Sequence, residues 1–229
     1  MHTHSTAQEI RIGTDDNGHG GMILVDLPGI GEDPARQEEY IGLYKKHMPE
    51  LDLILWAIKS DDRNFDSAIK GYEAVLKDSD TPRIFVITQL DKTNPSRYWN
   101  YDSFTPGDLQ LGNINTKENE VSRKFEISVK NIVSVAVDEE DFGKNYQLKE
   151  LVERIVEVLP NQKKYSFTRE AKAENVTETA RVSAEKGILD HVKEVAGDLW
   201  DVVKDSAVTV VVASATKAVA SLFSKFKFW

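Results

Sequence analysis

No cysteine occurs in the 229 residues, which excludes disulfides and thiolate metal sites and makes a reducing cytoplasm the expected compartment. Basic charge is also scarce. The 29 Lys and Arg face 38 Asp and Glu, and the net charge of −9 disfavours nonspecific binding to phosphate backbones. The imbalance belongs to the N-terminal part, because Lys and Arg slightly exceed Asp and Glu beyond Asn161. No apolar run is long enough to cross a bilayer: the uncharged stretch 206–216 is about half the ~20 residues a span needs. The first twenty residues are polar and hold no apolar h-region, so no secretory leader is expected. Among the histidines, His2, His4 and His19 have no neighbouring spacing of carboxylates that would make a metal site. The most telling absence is a Gly-rich turn ending in Gly-Lys-Ser/Thr, the string whose backbone N–H groups wrap phosphates while its Lys and hydroxyl reach phosphate and Mg²⁺.

What is present reads as a packed α/β domain followed by helices. Hydrophobic residues make up 40% of the chain, enough for a core. Alternation over 7–13 (Ile10 and Ile12 against Glu9 and Arg11) predicts a half-buried strand. A Gly-rich turn over 13–21 follows, then a continuous apolar run over 21–27 that predicts a strand covered on both faces and hairpinned to the first. Tyr40, Ile41, Tyr44 and Met48 recur at helical spacing over 34–48, with Pro34 in the first turn. Residues 51–58 read as a buried strand, 65–76 as a helix, and 83–88 as a second buried strand opened by Pro82. A turn-rich insertion, 98–112, carries Pro106 with Trp99, Tyr101 and Phe104, aromatics suited either to capping the domain, which is preferred, or to touching a partner. A charged helix over 115–126, a β-branched strand over 131–137 and an amphipathic helix over 148–159 complete the alternation, with Pro160 as the stop. Alternating strands and helices predict a mostly parallel sheet with helices on both faces.

Three short motifs sit at strand ends. Asp26-Leu27-Pro28-Gly29 follows a buried run, where a carboxylate can hold a Mg²⁺-bound water and a glycine N–H can approach a γ-phosphate unobstructed by a Cβ. Thr88-Gln89-Leu90-Asp91 ends another. A carboxylate at that position can accept from the N1–H and exocyclic amine of guanine, which adenine does not offer. The same residues also serve simply to turn the chain. Ser134-Val135-Ala136 ends the third, where a backbone N–H can meet the guanine O6.

In that order, and with a helix ending in Leu159-Pro160, the motifs resemble the Era-like branch of the translation-factor-related (TRAFAC) GTPases. More narrowly, residues 26–32 and 53–63 and the aromatic C-terminus are similar to the prophage-borne YfjP/YkfA/YeeP group, described as 50S-ribosome-binding-type GTPases. The resemblance implies a G domain of the P-loop-NTPase type over 1–160, lacking the first strand and P-loop, with a helical region over 161–229. It implies GTP or GDP with Mg²⁺ as ligands. Asp26 would be the Mg²⁺-linked carboxylate, Gly29 the γ-phosphate contact, Asp91 the guanine selector and Thr88 the support of the base loop, while Gln89 stands where the family has a Lys, so the stem flanking the base is shorter and uncharged. Ser134, Val135 and Ala136 would face the guanine, and Thr3, Ser5 or Thr6 would be the switch hydroxyl. The family begins with a strand, a P-loop and a helix before that hydroxyl, whereas this chain starts at about the hydroxyl itself. Ile30 stands where many GTPases place a water-orienting Gln, so that residue activates no water. The function implied is GTP binding with impaired affinity and turnover. The alternative is a non-catalytic interaction module docking through its C-terminal helices. A ribosomal partner follows from the resemblance alone.

The absent strand would lie between those of 21–27 and 51–58, so its neighbours should expose backbone groups unless they rearrange. Beyond Pro160 a polar linker is expected, then a helix carrying Ile188, Val192, Val195, Leu199, Trp200 and Val203. The finish, from Phe223 to Trp229 with Lys225 and Lys227 between aromatics, suits either a self-packed helical hairpin, which is preferred, or a peripheral membrane contact with rings at the headgroups.

Overall fold

From Ile84 to Thr88 every residue is β-branched or aromatic, side chains that fit a pleated surface buried on both sides. This run is the central strand of the computed structural model, which describes residues 7–12, 21–30, 34–63, 65–138, 140–141, 144–171 and 175–196, with side chains up to 187 and not at 34 or 162. The elements are β1 (Gln8–Ile12), β2 (Met22–Asp26), α1 (Gln37–His47), β3 (Ile54–Lys59), α2 (Asp66–Val75), β4 (Arg83–Thr88), α3 (Asp108–Phe125), β5 (Ile132–Ser134), β6 (Ala136–Val137), β7 (Asn145–Tyr146), α4 (Leu148–Val158), α5 (Asn161–Glu170) and α6 (Glu178–Ala196). The chain divides into two compact units, one of 1–10 with 24–151 and one of 11–23 with 152–229.

In the first unit β4 lies between β3 and β5 and pairs with both in parallel, Trp56 opposite Phe85 and Phe85 opposite Ile132. Parallel pairing requires a crossover between strands, and α2 and α3 supply the two. Their apolar faces meet one side of the sheet: Phe65, Tyr72, Ile114, Val121 and Phe125 join Trp56, Phe85 and Ile132 in a single buried cluster. The rings interlock, with Phe85 and Phe125 centroids 5.0 Å apart, Tyr72 and Phe125 5.4 Å, and Trp56 and Tyr72 5.9 Å. Each such pair adds about 0.5–1.5 kcal/mol beyond its buried area. Arg83, at the foot of β4, donates to the carbonyls of Leu76 and Ser79 and lies over the Tyr72 ring, placing a cation at the carbonyl end of α2.

The loop after β2 is seated on two helices. Pro28 is buried and its carbonyl accepts from the Tyr44 hydroxyl of α1 at 3.0 Å. Ile30 lies over Gly71 of α2, so close that a Cβ at Gly71 would stand 2.3 Å from its Cγ2. Any larger residue there would force the Ile30 side chain to shift.

Several expectations need correction. The fold is α/β with a parallel sheet and helices, yet its strands form three separate sheets: β1 with β2, β3-β4-β5, and antiparallel β6 with β7. Neither β2 nor β3 is covered on both faces. Ile23 is 47% and Leu55 40% exposed, and Ala57 is exposed too; separately, among the described residues no strand lies beside the outer edge of β3. The strand expected over 131–137 breaks at Val135 into β5 and β6. α3 begins seven residues before the expected start, at Asp108, since the Gln110 side chain turns back to accept the Gly107 N–H at 3.2 Å.

In the second unit the expected polar linker is instead helix α5. α6 starts at Glu178 rather than near Ile188, because Thr177 caps it, its Oγ1 accepting the Ala180 N–H at 3.1 Å. α5 and α6 pack together over Phe167, Ala171, Ala180 and Ala184, and Thr177 also donates to Glu153 of α4. His2, His4, His19, the switch-hydroxyl candidates Thr3, Ser5 and Thr6, and the aromatic finish from Phe223 to Trp229 lie outside the described residues.

Gly71→Ala is expected to destabilise the protein by about 1–3 kcal/mol through overpacking against Ile30, with Ile30→Ala recovering part of that loss in the double variant. Urea unfolding of the two single variants and the double variant checks it; strict additivity would show that the two residues do not press on each other.

Candidate functional site

Parallel pairing brings the C-terminal ends of β3, β4 and β5 to one edge, and the chain leaves β4 there through Thr88-Gln89-Leu90-Asp91. Thr88 is buried, and its Oγ1 donates to the Ile58 carbonyl at 3.4 Å. Gln89 then adopts the left-handed conformation, φ 59° and ψ 42°. For a residue with a side chain that geometry costs about 1–2 kcal/mol, so its surroundings must hold it. They do so at several points. The Gln89 carbonyl accepts from the Ser60 hydroxyl at 2.7 Å and from the Lys92 N–H at 3.0 Å, while the Ser60 N–H donates to the Thr88 carbonyl at 2.9 Å. Leu90 is fully buried and its N–H points to the Val135 carbonyl at 3.4 Å. Asp91 is the middle residue of the 3-10 turn Leu90–Lys92 and remains partly exposed, while Thr93, buried, closes the turn by donating its N–H to the Leu90 carbonyl at 2.9 Å.

Ser134, Val135 and Ala136 stand beside this turn and are all buried. The Val135 N–H donates to the Ile87 carbonyl at 2.7 Å and thereby extends the ladder past the last paired residue. The Ser134 hydroxyl donates to the Glu118 carboxylate of α3 at 2.6 Å, tying helix to strand end. Thr88, Gln89, Asp91 and the 134–136 turn therefore form one group. Asp26 and Gly29 belong to the loop seated on α1 and α2: Asp26 is exposed at the end of β2 and Gly29 is half-buried.

The flank built by α3 carries charge. The ammonium groups of Lys117 and Lys124 lie 4.3 and 4.8 Å from the Phe65 ring centre, and Lys117 also donates to the Asp62 carbonyl. Burial holds Lys117 below the ordinary lysine pKa, against the pull of Glu120, Asp62 and Asp61. Burial, and then the nearby Glu118 carboxylate, push the Tyr146 hydroxyl above its ordinary value. Among the described residues no three His, Cys, Asp or Glu cluster as a metal cage. A single carboxylate such as that of Asp26 suits Mg²⁺ only where phosphate oxygens and water complete the coordination.

Two residues of this edge carried no signal in the sequence. Ser60 lies in the string 53–63, but no spacing rule marks a serine that reaches 29 residues ahead. Glu118 reads as one of several charges on a solvated helix face until β5 is placed beside it.

No protein-family model matches the chain. Among curated proteins of Escherichia coli K12, the uncharacterized protein YfjP is 45% identical over 76 residues, and YkfA 43% identical over 76. These matches take in 33% of this chain and 26% of each relative, so the chain spans about a quarter of their length. The uncharacterized protein YeeP is 29% identical over 186 residues, 81% of this chain and 73% of that protein. Among solved structures, the chain is similar to Era in complex with MgGDPNP and a 16S ribosomal RNA segment, with TM-score 0.48 and 22% identity over 69% of this chain and 46% of that one. It is similar also to an Aquifex aeolicus Era variant bound to GDP and AlF4⁻, with TM-score 0.45 and 24% identity over 68% and 46%.

Ser134→Ala removes the hydroxyl while nearly keeping its volume, and is expected to destabilise the protein by about 1–3 kcal/mol because the Glu118 carboxylate loses its donor. Urea unfolding reads the loss, and a Glu118→Gln background should reduce it.

Proposed function

We propose that this chain is a guanine-nucleotide-binding protein of the Era-like type, with the base-recognition half of the site carried by Thr88, Gln89, Asp91 and the turn Ser134-Val135-Ala136. One observation carries the reading. The Thr88–Asp91 turn is held in a strained left-handed geometry at the C-terminal edge of a parallel sheet, hydrogen-bonded to both neighbouring strand ends, and its aspartate is partly exposed. Ligands of open α/β sheets bind at that edge. The Asp91 carboxylate offers the paired acceptor that guanine satisfies and adenine does not.

Asp26 would hold Mg²⁺ through water, with phosphate oxygens completing the shell, and the Gly29 N–H would meet the terminal phosphate. The 229 residues hold no Gly-Lys-Ser/Thr string, so phosphate wrapping is not supplied by a P-loop of their own. Ile30 presents an aliphatic side chain packed over Gly71, which orients no water. Binding is accordingly weak and turnover slow. The same absence favours a second reading, an interaction module that keeps the scaffold without the chemistry. Prophage origin, a cytoplasmic setting, a ribosomal partner and a peripheral membrane contact through Phe223 to Trp229 rest on the sequence resemblance and composition. Among the described residues no helix is long and apolar enough to cross a membrane.

Titration of fluorescent GDP with Mg²⁺ into wild type and Asp91→Ala tests the reading. The expected result is saturable binding with a Kd weaker than ~0.1 mM, lost by a further tenfold or so in the variant. No binding up to millimolar nucleotide by protein shown to be folded would retire it and leave the interaction module. A related expectation concerns stability. The edge of β3 that no described strand covers, with Leu55 and Ala57 exposed on its face, should keep the thermal midpoint of the 229-residue chain below about 50 °C, and a cooperative melt well above that temperature contradicts it.

A further inference from the structure

The left-handed Gln89 is the most demanding backbone position at the candidate site, and the side chain that answers it comes from a different strand. Ser60 follows β3 directly. Its backbone N–H donates to Thr88 at 2.9 Å, so it continues the β3–β4 ladder by one step, and its hydroxyl reaches one residue further to the Gln89 carbonyl at 2.7 Å. The two bonds do separate work. The first would survive in any residue but proline. The second belongs to a hydroxyl, and it fixes the orientation of the peptide plane between Gln89 and Leu90. That plane sets where the chain goes next. The Leu90 N–H turns to Val135, the 3-10 turn closes through Lys92 and Thr93, and Asp91 is delivered to the rim.

We infer that Ser60 is a positioning residue for nucleotide-base selection: its hydroxyl locks the Gln89 peptide so that the Asp91 carboxylate stands in register for a guanine rather than an adenine base. The inference rests on the guanine-site reading above and adds to it a residue outside the Thr88–Asp91 and 134–136 motifs. Ser60 touches no base itself. It acts through the backbone of a neighbouring strand, and its removal should leave the aromatic core and the ladder bond to Thr88 in place. A hydroxyl that merely stabilised the fold would change the affinity for every nucleotide together. A hydroxyl that positions Asp91 changes the ratio between bases.

The experiment is competitive titration of GDP and ADP against fluorescent GDP with Mg²⁺, on the full 229-residue chain as wild type, Ser60→Ala and Ser60→Thr, with amide hydrogen exchange of Leu90–Thr93 measured without ligand. Ser60→Ala is expected to lower the GDP-over-ADP preference about tenfold, the factor a single well-made hydrogen bond supports, and to speed exchange in the 90–93 turn by a similar factor. Ser60→Thr, which keeps the hydroxyl, should restore both. If Ser60→Ala does not fold, Ser60→Cys takes its place, since a thiol is a weak donor in nearly the same volume. A preference for GDP unchanged in the alanine or cysteine variant overturns the inference while leaving the guanine site standing. Equal loss of GDP and ADP affinity also overturns it. Absence of any GDP binding by the folded wild type removes the guanine reading and this inference with it.

Discussion

The parallel pairing of β4 between β3 and β5 is the constraint on which the rest of the first unit depends. Because each connection must cross back over the sheet, two helices are forced onto a face, and every loop that follows a strand emerges at the same edge. The aromatic cluster makes that arrangement cohesive. Trp56, Phe85 and Ile132 come from three strands, Tyr72 from α2 and Phe125 from α3, so no element can shift without opening contacts to several others. Arg83 then binds the end of α2 to the foot of the central strand. Rigid support beneath and a strained turn above go together, since a left-handed glutamine persists only where its neighbours over-determine it.

The opposite border of the same sheet is less finished. In β3 the residues at even positions turn their backbone groups toward β4, as the Ile54 N–H to Pro82 and the Ser60 N–H to Thr88 show. Leu55, Ala57 and Lys59 therefore turn theirs to the outer edge, and Leu55 and Ala57 leave their side chains exposed as well. Edge strands with open ladders and apolar faces invite pairing, which is why proteins usually cover or charge them. The site edge and the border that no described strand covers both belong to β3, and Ser60 follows that strand at its site end. The loop carrying Asp26 and Gly29 is anchored independently, by Tyr44 on Pro28 and by Ile30 over Gly71, so its placement depends on α1 and α2 rather than on β3.

Much of the fold was legible in the residues. The β4 run, the α2 periodicity and the alternation of strands with helices each reflect a local pattern of burial, and local patterns are what a sequence displays. Thr88, Gln89, Asp91 and the 134–136 turn were legible as site candidates because each follows an apolar run, and a parallel sheet must gather such positions at one edge. The misreadings share a different cause. Apolar content in β2 and β3 implied cover on both faces, but cover is supplied by neighbours, and a strand carries no record of how many it has. Polar composition over 161–170 implied a linker, yet it forms a helix that packs on α6 through Phe167 and Ala171. The early starts of α3 and α6 depend on single capping bonds from Gln110 and Thr177, too small to outweigh the composition around them.

What the sequence by itself determined is the set of elements and the order of the motifs, because periodicity of burial and the chemistry of strand-end residues are properties of short stretches. What only the tertiary structure decided is which groups meet. Ser60 reaches Gln89, Glu118 reaches Ser134, and Ile30 lies over Gly71, across separations of 29, 16 and 41 residues. Such pairings arise from the register of strands and the seating of helices, and a hydrogen bond or a close contact has no partner until the whole chain has put one there.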